Sequence, residues 1–364
     1  MKIIDRYIIR KFLGTLSFML LLLSIIVVVI DVQAKSPRIE GNGFSVGYFL
    51  LYFYPFWMVY LVITFMSILV FISVIYFTSR MANNTEIVAI ISSGASFHRF
   101  ARPYFLASGI LAVMALATNH FVLPWANIQK NKLEVYTYNS VDREKVLGNA
   151  EIATQLSPTE FIFISNYNRK EKRGSSFKYQ KFDKNRKLQE QIVANEMSWD
   201  AKKKKFILTG YLHRKTAKND TEVLSNGDVK EMDFGHAPEE LFPDQLLAQT
   251  KTTPELVNLI NLEKAKGNHN LAMFLSELHQ RTSMPVSIII LTILALSLSS
   301  QKKRGGLGAN LAIGIALAFV FVFSFEALKV VAENQVISPL LAMWLPNIVF
   351  APIAAVLYFK RANQ

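Results

Sequence analysis

Six long apolar stretches constrain this chain more than any other feature of its sequence. They cover residues 13–30, 48–77, 104–122, 284–298, 307–331 and 340–358. A helix needs about 20 mostly apolar residues to cross the hydrocarbon core of a bilayer. Because the apolar residues are concentrated in these stretches, the sequence predicts six transmembrane helices rather than an ordinary soluble domain.

The distribution of basic residues predicts how these helices are oriented. If the N-terminus is cytoplasmic, residues 1–12, 79–100, 301–306 and 360–364 all lie inside the cell, and every one of these segments is basic. Short cytoplasmic segments carry an excess of Lys and Arg, whereas long polar domains cross the membrane regardless of their charge. We therefore expect both termini in the cytoplasm and residues 124–281 outside it.

Residues 124–281 contain no stretch long enough to span a bilayer, and their pattern is typical of short strands. Strand cores are expected at 161–164, 176–182, 191–199 and 206–212, with turns at 183–186, at 200–204 and at Asn226-Gly227. An Asn-Gly pair favours a two-residue hairpin turn. From residue 254 to about 280 the apolar spacing becomes helical. This pattern predicts a β-sandwich or jelly-roll-like domain with a helical connector after it.

Together these features predict an α-helical integral membrane protein with six transmembrane helices and an inserted periplasmic all-β domain. Its expected parts are residues 1–123 with three spans, residues 124–281 with the β domain and its connector, and residues 282–364 with three more spans. Pro37 places residues 31–47 in a predicted polar loop, and Pro124 is expected to end the third span.

The segment between the second and third spans predicts a short helix at about 84–94. Asn83 or Asn84 can cap this helix, and Glu86 lies in its first turn. Such a helix is roughly 15 Å long, too short to span the membrane. It could rest on lipid headgroups or dock into a groove of a soluble partner. Asp5 and Glu86 are the only acidic residues in the predicted cytoplasmic segments. The candidate contact residues are Thr85, Glu86, Ile87, Ile90, Ile91 and Gly94, of which Gly94 can end the helix.

Charged and aromatic residues near the outer ends of two spans are candidates for ligand contact. Glu326 and Lys329 lie three residues apart in the fifth span, where they can form an ion pair or contact a charged substrate group. Asp31, Lys35 and Arg38 follow the first span and could bind phosphates or be solvated. The fifth span also mixes small and bulky residues, which suits either a wall that moves around acyl chains or ordinary helix packing. Its bulky candidates are Phe319 and Phe323.

Several classes of function are disfavoured by what the sequence lacks. It has no cysteine, so disulfides and Cys-ligated metal centres are excluded. We find no Walker A loop, zincin motif or nucleophile elbow. Much of the net charge of +13 flanks apolar spans or lies in the polar insert, which does not favour nucleic acid as a partner. We expect no catalytic residue, metal or cofactor on this chain, so directional transport would need energy from a partner.

Short motifs occur in a characteristic order along the whole chain. They are Asp5-Arg6-Tyr7-Ile8, Val29-Ile30-Asp31 with Lys35, Thr85-Glu86-Ile87 with Ser93-Gly94, Phe182-Asp183-x-Asn185-Arg186-x-Leu188, Arg281-x-x-x-Pro285, Gly314-Ile315 and Trp344-Leu345-Pro346. With the layout of three spans, a β domain and three spans, this set resembles the LptF/LptG permease family of the lipopolysaccharide-transport ABC exporter. The first two motifs look more like LptG than LptF. The chain departs from the family at Arg281, where a Lys is expected.

The resemblance implies a transport subunit in the inner membrane of a Gram-negative bacterium. Its implied partners are a second LptF/LptG-type permease, an LptB ATPase dimer that holds the ATP and Mg, and LptC with LptA-like periplasmic bridge proteins. Glu86 would lie on a coupling helix that enters a groove of the ATPase. The two permeases would enclose an apolar cavity with their first, second and fifth spans. Lipopolysaccharide would enter it from the outer leaflet, and Lys35 and Arg38 would meet the lipid A phosphates.

Two other classes of function are alternatives to a permease. A membrane-anchored β-domain scaffold or receptor would bind a partner without transport, and it would have no use for Glu86. A membrane enzyme would need titratable side chains that converge in a pocket, and no such set is visible in the sequence.

Overall fold

A computed structural model of the chain describes residues 3–137, 149–168, 171–183, 185–216, 222–235, 237–242, 245–265, 271–301 and 306–363. The basic run that makes the predicted segment 301–306 cytoplasmic lies mostly outside these residues. In chain order the helices are α1 (Ile3–Gly41), α2 (Val46–Tyr52), α3 (Tyr54–Asn83), α4 (Glu86–Ser92), α5 (Phe97–Ala117), α6 (Leu123–Glu134), α7 (Pro238–Leu241), α8 (Gln245–Thr250), α9 (Thr253–Ala265), α10 (Ala272–Ser299), α11 (Gly306–Glu333) and α12 (Pro339–Ala362).

Six helical segments of the described chain are long and apolar enough to cross a membrane. They are α1, α3, α5 with its continuation α6, α10, α11 and α12. All described strands lie between the third and fourth of these segments. The predicted fold class, a six-span helical membrane protein with a β insert, is therefore confirmed.

Helix α10 forms the centre of the bundle and packs against α3, α5, α11 and α12. Short polar side chains join these helices. The Ser287 hydroxyl donates to the Ser67 hydroxyl at 2.6 Å, between α10 and α3. The Asn347 amide of α12 donates to the Ser283 carbonyl of α10 at 2.8 Å. Small residues and hydrogen bonds of this kind hold helices together where lipid supplies no hydrophobic force. Helix α1 lies at the edge of the bundle, against α3 and α5.

The first helix is longer than the sequence suggests. It continues through Pro37, so the prediction of a polar loop at 31–47 is wrong. Pro37 removes one helical hydrogen bond. However, Ile39 in the following turn is fully buried beside Phe49 of α2. We infer that this burial keeps the last turns of α1 helical.

The helix of the third span does not end at Pro124, where the sequence predicts its end, but continues to Glu134. Pro124 has no N–H to donate to a carbonyl one turn earlier. The chain accommodates it with a π-helical turn at Thr118–Val122, in which the Leu123 N–H donates to the Thr118 carbonyl. This wider turn lets α6 follow α5 without a break and carry the chain toward the β domain.

The described strands form one antiparallel sheet in which each strand pairs with its neighbour in the chain. They are β1 (Asn149–Ser157), β2 (Glu160–Asn168), β3 (Arg173–Phe182), β4 (Leu188–Asp200), β5 (Lys205–Thr216) and β6 (Glu222–Met232). The four predicted strand cores fall inside β2 to β5. The expected all-β insert is therefore confirmed. Its described strands form a meander, without the crossovers that define a jelly roll, and the short β2–β3, β3–β4 and β4–β5 connections favour that order.

The predicted hairpin at Asn226-Gly227 is wrong, because both residues lie inside β6. Gly227 pairs with Tyr211 of β5. A Cβ atom at Gly227 would lie 3.0 Å from the ring of Tyr211. The glycine therefore allows a close aromatic contact within the sheet rather than a turn.

The segment after β6 covers one face of the sheet. The ring of Phe234 lies 5.3 Å from that of Phe206 on β5 and 6.3 Å from that of Phe177 on β3, between ring centres. Phe242 packs against Tyr167 of β2 at 4.8 Å. These rings close the core of the β domain, and α8 and α9 then lead the chain back to the bundle.

Candidate functional site

Helix α4 lies between α3 and α5, at the end of the bundle that carries the N-terminus. Its N-cap residue is Thr85, whose φ is 60°. The Thr85 hydroxyl donates to the Asn84 carbonyl at 2.6 Å instead of capping the helix. The predicted cap at Asn83 or Asn84 is therefore wrong. Gly94 follows with a φ of 87°, a conformation that glycine adopts without strain, and it ends the helix as predicted.

The carboxylate of Glu86 is held by two neighbours. The Tyr7 hydroxyl donates to Oε2 at 2.9 Å, and the Asn84 amide donates to Oε1 at 3.2 Å. Because Tyr7 belongs to α1, this contact joins α4 to the first transmembrane helix. Beside it, the Arg99 guanidinium of α5 donates to both carboxylate oxygens of Asp5 at 2.6 and 2.8 Å, a bidentate geometry that is strong for an ion pair.

Sequence reasoning missed both of these contacts. Their partners are separated by 79 and 94 residues, so no local spacing reveals them. One signal was present, since two isolated acidic residues among many basic ones are expected to have specific partners. That signal identifies Asp5 and Glu86 but not the residues that bind them.

The two faces of α4 differ in their surroundings. Ile87 is buried, and Ile90 and Ile91 are partly buried against the core of the bundle. The opposite face is small and open, with Val88 59% exposed and Ala89 and Ser92 also exposed. The three isoleucines share one face, as the sequence predicts, but that face anchors α4 to its own bundle. A partner would meet the small residues and the accessible part of Glu86.

At the other end of α1, Asp31 and Lys35 form an ion pair of 2.9 Å between Oδ1 and Nζ. The Tyr54 hydroxyl of α3 donates to the second Asp31 oxygen at 2.9 Å. Lys35 also lies over the ring of Trp57, 5.3 Å from its centre. Lys35 therefore already has an anionic and an aromatic partner. Arg38, one turn later, is exposed, and its guanidinium donates to the Thr137 carbonyl at 3.4 Å.

Helix α11 presents an aromatic pair away from the bundle. The rings of Phe319 and Phe323 are stacked with centres 6.1 Å apart, and the two side chains are 69% and 65% exposed. On its other side α11 packs closely on α3. A Cβ atom at Gly314 would overlap Cδ1 of Ile75. The glycine therefore sets how near α11 lies to α3.

The predicted ion pair between Glu326 and Lys329 is wrong, since neither forms a salt bridge with any residue that the structure describes. Both line a small cavity of about 70 Å³ between α3, α6, α10 and α11. Arg281 lies beside this cavity, and its buried guanidinium is bound to the Glu277 carboxylate at 3.0 Å. Polar side chains of α3, α6 and α10 line the same cavity as Glu326 and Lys329.

Arg281 joins the connector to the bundle, which the sequence did not reveal. Its guanidinium donates to the Ala248 carbonyl of α8 at 3.0 Å and to the Thr253 hydroxyl of α9 at 3.2 Å. Asn119 of the π-helical turn donates to the Arg281 carbonyl at 3.3 Å. One side chain therefore ties α8, α9 and α10 together at the end of the bundle that leads to the β domain.

The family model for the lipopolysaccharide export system permease LptF/LptG matches residues 6–360. The chain belongs to the LptF/LptG permease family. No match was found among curated proteins. Membership in this family makes the chain a multi-pass permease subunit for lipopolysaccharide export in the inner membrane. The family is that of the permease subunits of an ABC-type exporter, so the chain is a transport subunit.

Proposed function

We propose that this LptF/LptG permease is an LptG-type subunit, paired with a second permease, that moves lipopolysaccharide out of the outer leaflet of the inner membrane. In this proposal α4 faces the cytoplasm, and the β domain lies in the periplasm and passes the lipid to LptC and LptA-like bridge proteins. The basic segments at the α4 end of the chain support this orientation.

The observation that carries the proposal is the way α4 is attached. Its inner face is anchored by Ile87, and Glu86 is bound to Tyr7 of α1, while its outer face is open. An ATPase dimer that holds ATP and Mg would dock on this open face. A displacement of α4 would then reach α1 directly through the contact between Glu86 and Tyr7. ATP hydrolysis in the partner would in this way drive movement of α1.

We propose that α1, α3 and α11 form this subunit's half of an apolar cavity. Helices α1 and α11 both pack on α3, and each exposes large apolar side chains, among them Phe319 and Phe323. Moving an acyl chain into water costs about 0.8 kcal/mol per CH₂. Several chains would together require tens of kcal/mol. An apolar wall along the route keeps the chains out of water and avoids most of that cost.

At the outer end of α1, Arg38 is the better candidate for a lipid phosphate. It is exposed and forms no salt bridge with a described residue. Lys35 would have to exchange its contact with Asp31 for a phosphate. Glu326 and Lys329 at the outer cavity remain candidates for contact with the lipid headgroup. Photocrosslinking of lipopolysaccharide from positions 35 and 38 tests this proposal. We expect adducts at both positions and more at 38, whereas no adduct at either would refute the assignment.

The coupling role is tested with Glu86→Ala and Glu86→Lys in the complete exporter. Removing the carboxylate frees Tyr7 and changes the docking surface. We expect weaker association with the ATPase, on the order of tenfold, and a matching loss of lipopolysaccharide release. Glu40→Gln, at an exposed acidic residue near the opposite end of α1, is the matched control. Unchanged association and release in both Glu86 variants would favour a scaffold without transport.

A further inference from the structure

A cleft with two cations is lined in part by Tyr7, the residue whose hydroxyl donates to Glu86. It opens between α1 and α3 and has a volume of about 750 Å³. The residues that matter in its lining are Tyr7, Arg10, Lys11, Gly14, Phe18 and Tyr76. The family's transport route, proposed above along the outer part of α1, does not include this cleft.

The charges of the cleft are concentrated at one end. Arg10 and Lys11 are exposed, and neither forms a salt bridge with a residue that the structure describes. The Lys11 ammonium lies 5.6 Å from the ring centre of Tyr7, which stabilises the cation without neutralising it. Two neighbouring cations without a carboxylate form a favourable site for a phosphate group.

The rest of the cleft is apolar and extends deeper into the bundle. Phe18 is eight residues after Arg10, so it lies about 12 Å further along the helix axis. Between them, Gly14 leaves open space, because a Cβ atom there would meet nothing within 4 Å. The cleft is therefore charged at the membrane surface and apolar toward the membrane centre. This polarity matches a lipid with a charged headgroup, whereas a free anion would use only one end.

We propose that this cleft binds an anionic phospholipid, with its phosphate between Arg10 and Lys11 and an acyl chain over Gly14 and Phe18. The lipid comes from the leaflet on the α4 side of the membrane, which is the cytoplasmic leaflet if the proposed orientation is correct. Tyr7 then contacts both the lipid site and Glu86. A bound lipid would hold α1 in the position that keeps Tyr7 against α4.

The charge of the site is tested on the purified full-length chain in nanodiscs of equal parts phosphatidylglycerol and phosphatidylcholine. Native mass spectrometry after transfer to detergent reports which lipid stays bound. We expect retained phosphatidylglycerol with the unmodified chain, and a loss on the order of tenfold when Arg10→Gln and Lys11→Gln are combined. Arg102→Gln, at an exposed cation of α5 outside the cleft, is the control and should retain the lipid.

The apolar half is tested by filling it. Gly14→Leu places a side chain in the cleft at a position where a Cβ atom would meet nothing within 4 Å, and it keeps both cations. We expect it to displace the lipid. Gly14→Ala adds one methyl group and should retain most of it. Gly14 is exposed, so both substitutions leave the core unchanged. The thermal unfolding midpoint identifies a variant that fails to fold. If a Gly14 variant fails to fold, the charge variants decide.

Three results would overturn the proposal. The first is unchanged phosphatidylglycerol retention in both the charge and the steric variants. The second is displacement of the lipid by inorganic phosphate alone, which would show a simple anion site. The third is exclusion of the lipid when the partner permease is bound, which would show a protein surface. The measurement needs neither ATP nor lipopolysaccharide, so failure here leaves the proposed transport function standing.

Discussion

Helix α1 is more apolar than α10 but less buried, which is the opposite of what is expected for a soluble protein. The most apolar 18-residue stretch has a mean hydropathy of 2.8 in α1 and 1.9 in α10. However, only 6% of the residues in the α1 stretch are buried, whereas 56% of those in the α10 stretch are. In a soluble protein the more apolar segment is expected inside. In a bilayer, lipid accepts an apolar surface, and helices associate through close packing and hydrogen bonds. Hydropathy therefore identifies the spans, whereas small and polar residues identify the centre of the bundle.

This difference separates a fixed part of the molecule from a part with an open surface. The fixed part is α10 with its contacts to α3, α5 and α12, and Arg281 extends it to the connector. The open part consists of α1 and the outward face of α11. In the most apolar stretch of α11, 22% of the residues are buried. A permease needs both parts, because helices that contact the lipid can move only relative to helices that stay in place.

The largest effect is expected at Arg281 on the fixed side. Arg281→Ala leaves the Glu277 carboxylate without its 3.0 Å partner and removes the bonds to α8 and α9. Removing one partner of a buried ion pair costs about 3 to 5 kcal/mol. The midpoint of thermal unfolding in detergent measures this loss. Arg281→Lys, the residue expected in the family, should recover part of it, and equal midpoints for Arg281→Ala and the unmodified chain would contradict the role of this junction.

A matched pair of leucines tests the comparison directly. Leu291 in α10 is fully buried, and Leu21 in α1 is 59% exposed. Leu291→Ala creates a cavity, which costs about 2 to 5 kcal/mol in soluble cores. We expect the lower end of that range here because lipid, not water, surrounds the bundle. Leu21→Ala should change the unfolding free energy of the isolated subunit by less than about 0.5 kcal/mol. Similar losses in both variants would mean that α1 is packed as tightly as α10.

The spans and the strands could be predicted from the sequence because their signals are local. The periodicity and length of an apolar run do not depend on distant residues. Two of the wrong predictions are cases in which a contact with another element overrides a local preference. Pro37 does not end α1 because Ile39 packs on α2, and Gly227 lies in a strand because Tyr211 covers it.

The candidate site shows the same limit. The position of α4 was predictable from Gly94 and from the polar residues between two spans. The partner of Glu86 was not, since Tyr7 lies 79 residues away. The sequence predicted that the three isoleucines of α4 share one face. It did not predict that this face packs against the bundle of the same chain. A short amphipathic helix has an apolar face whether it packs on its own bundle or on a partner, and only the surroundings distinguish the two.

An intermediate effect is expected where the open side meets the fixed side. Gly314→Leu on α11 would overlap Ile75 of α3 and should cost about 1 to 3 kcal/mol by overpacking. Gly314→Ala needs only a shift of the end of the Ile75 side chain and should be milder. Adding Ile75→Ala to Gly314→Leu should restore part of the thermal midpoint. If the second substitution makes no difference, α11 is not held on α3 through this contact.

The smallest effect is expected at the connector and depends on pH. The Thr252 N–H and hydroxyl both donate to the Glu255 carboxylate, at 2.8 and 2.9 Å, at the start of α9. These bonds lower the pKa of Glu255, so its stabilisation is present above the usual carboxyl range and is lost as the pH falls through the lowered value. Since Glu255 is exposed, we expect at most about 1 kcal/mol.

Glu255→Gln should therefore lower the thermal midpoint at neutral pH and match the unmodified chain in acid. Glu171→Gln, at an exposed glutamate of the β domain, should show no such convergence. A constant difference between Glu255→Gln and the unmodified chain at every pH would mean that the carboxylate charge is not what caps α9. Residues 13–30 of α1 carry no charge, so acid should weaken the connector on the fixed side and leave the apolar surface of α1 as it is.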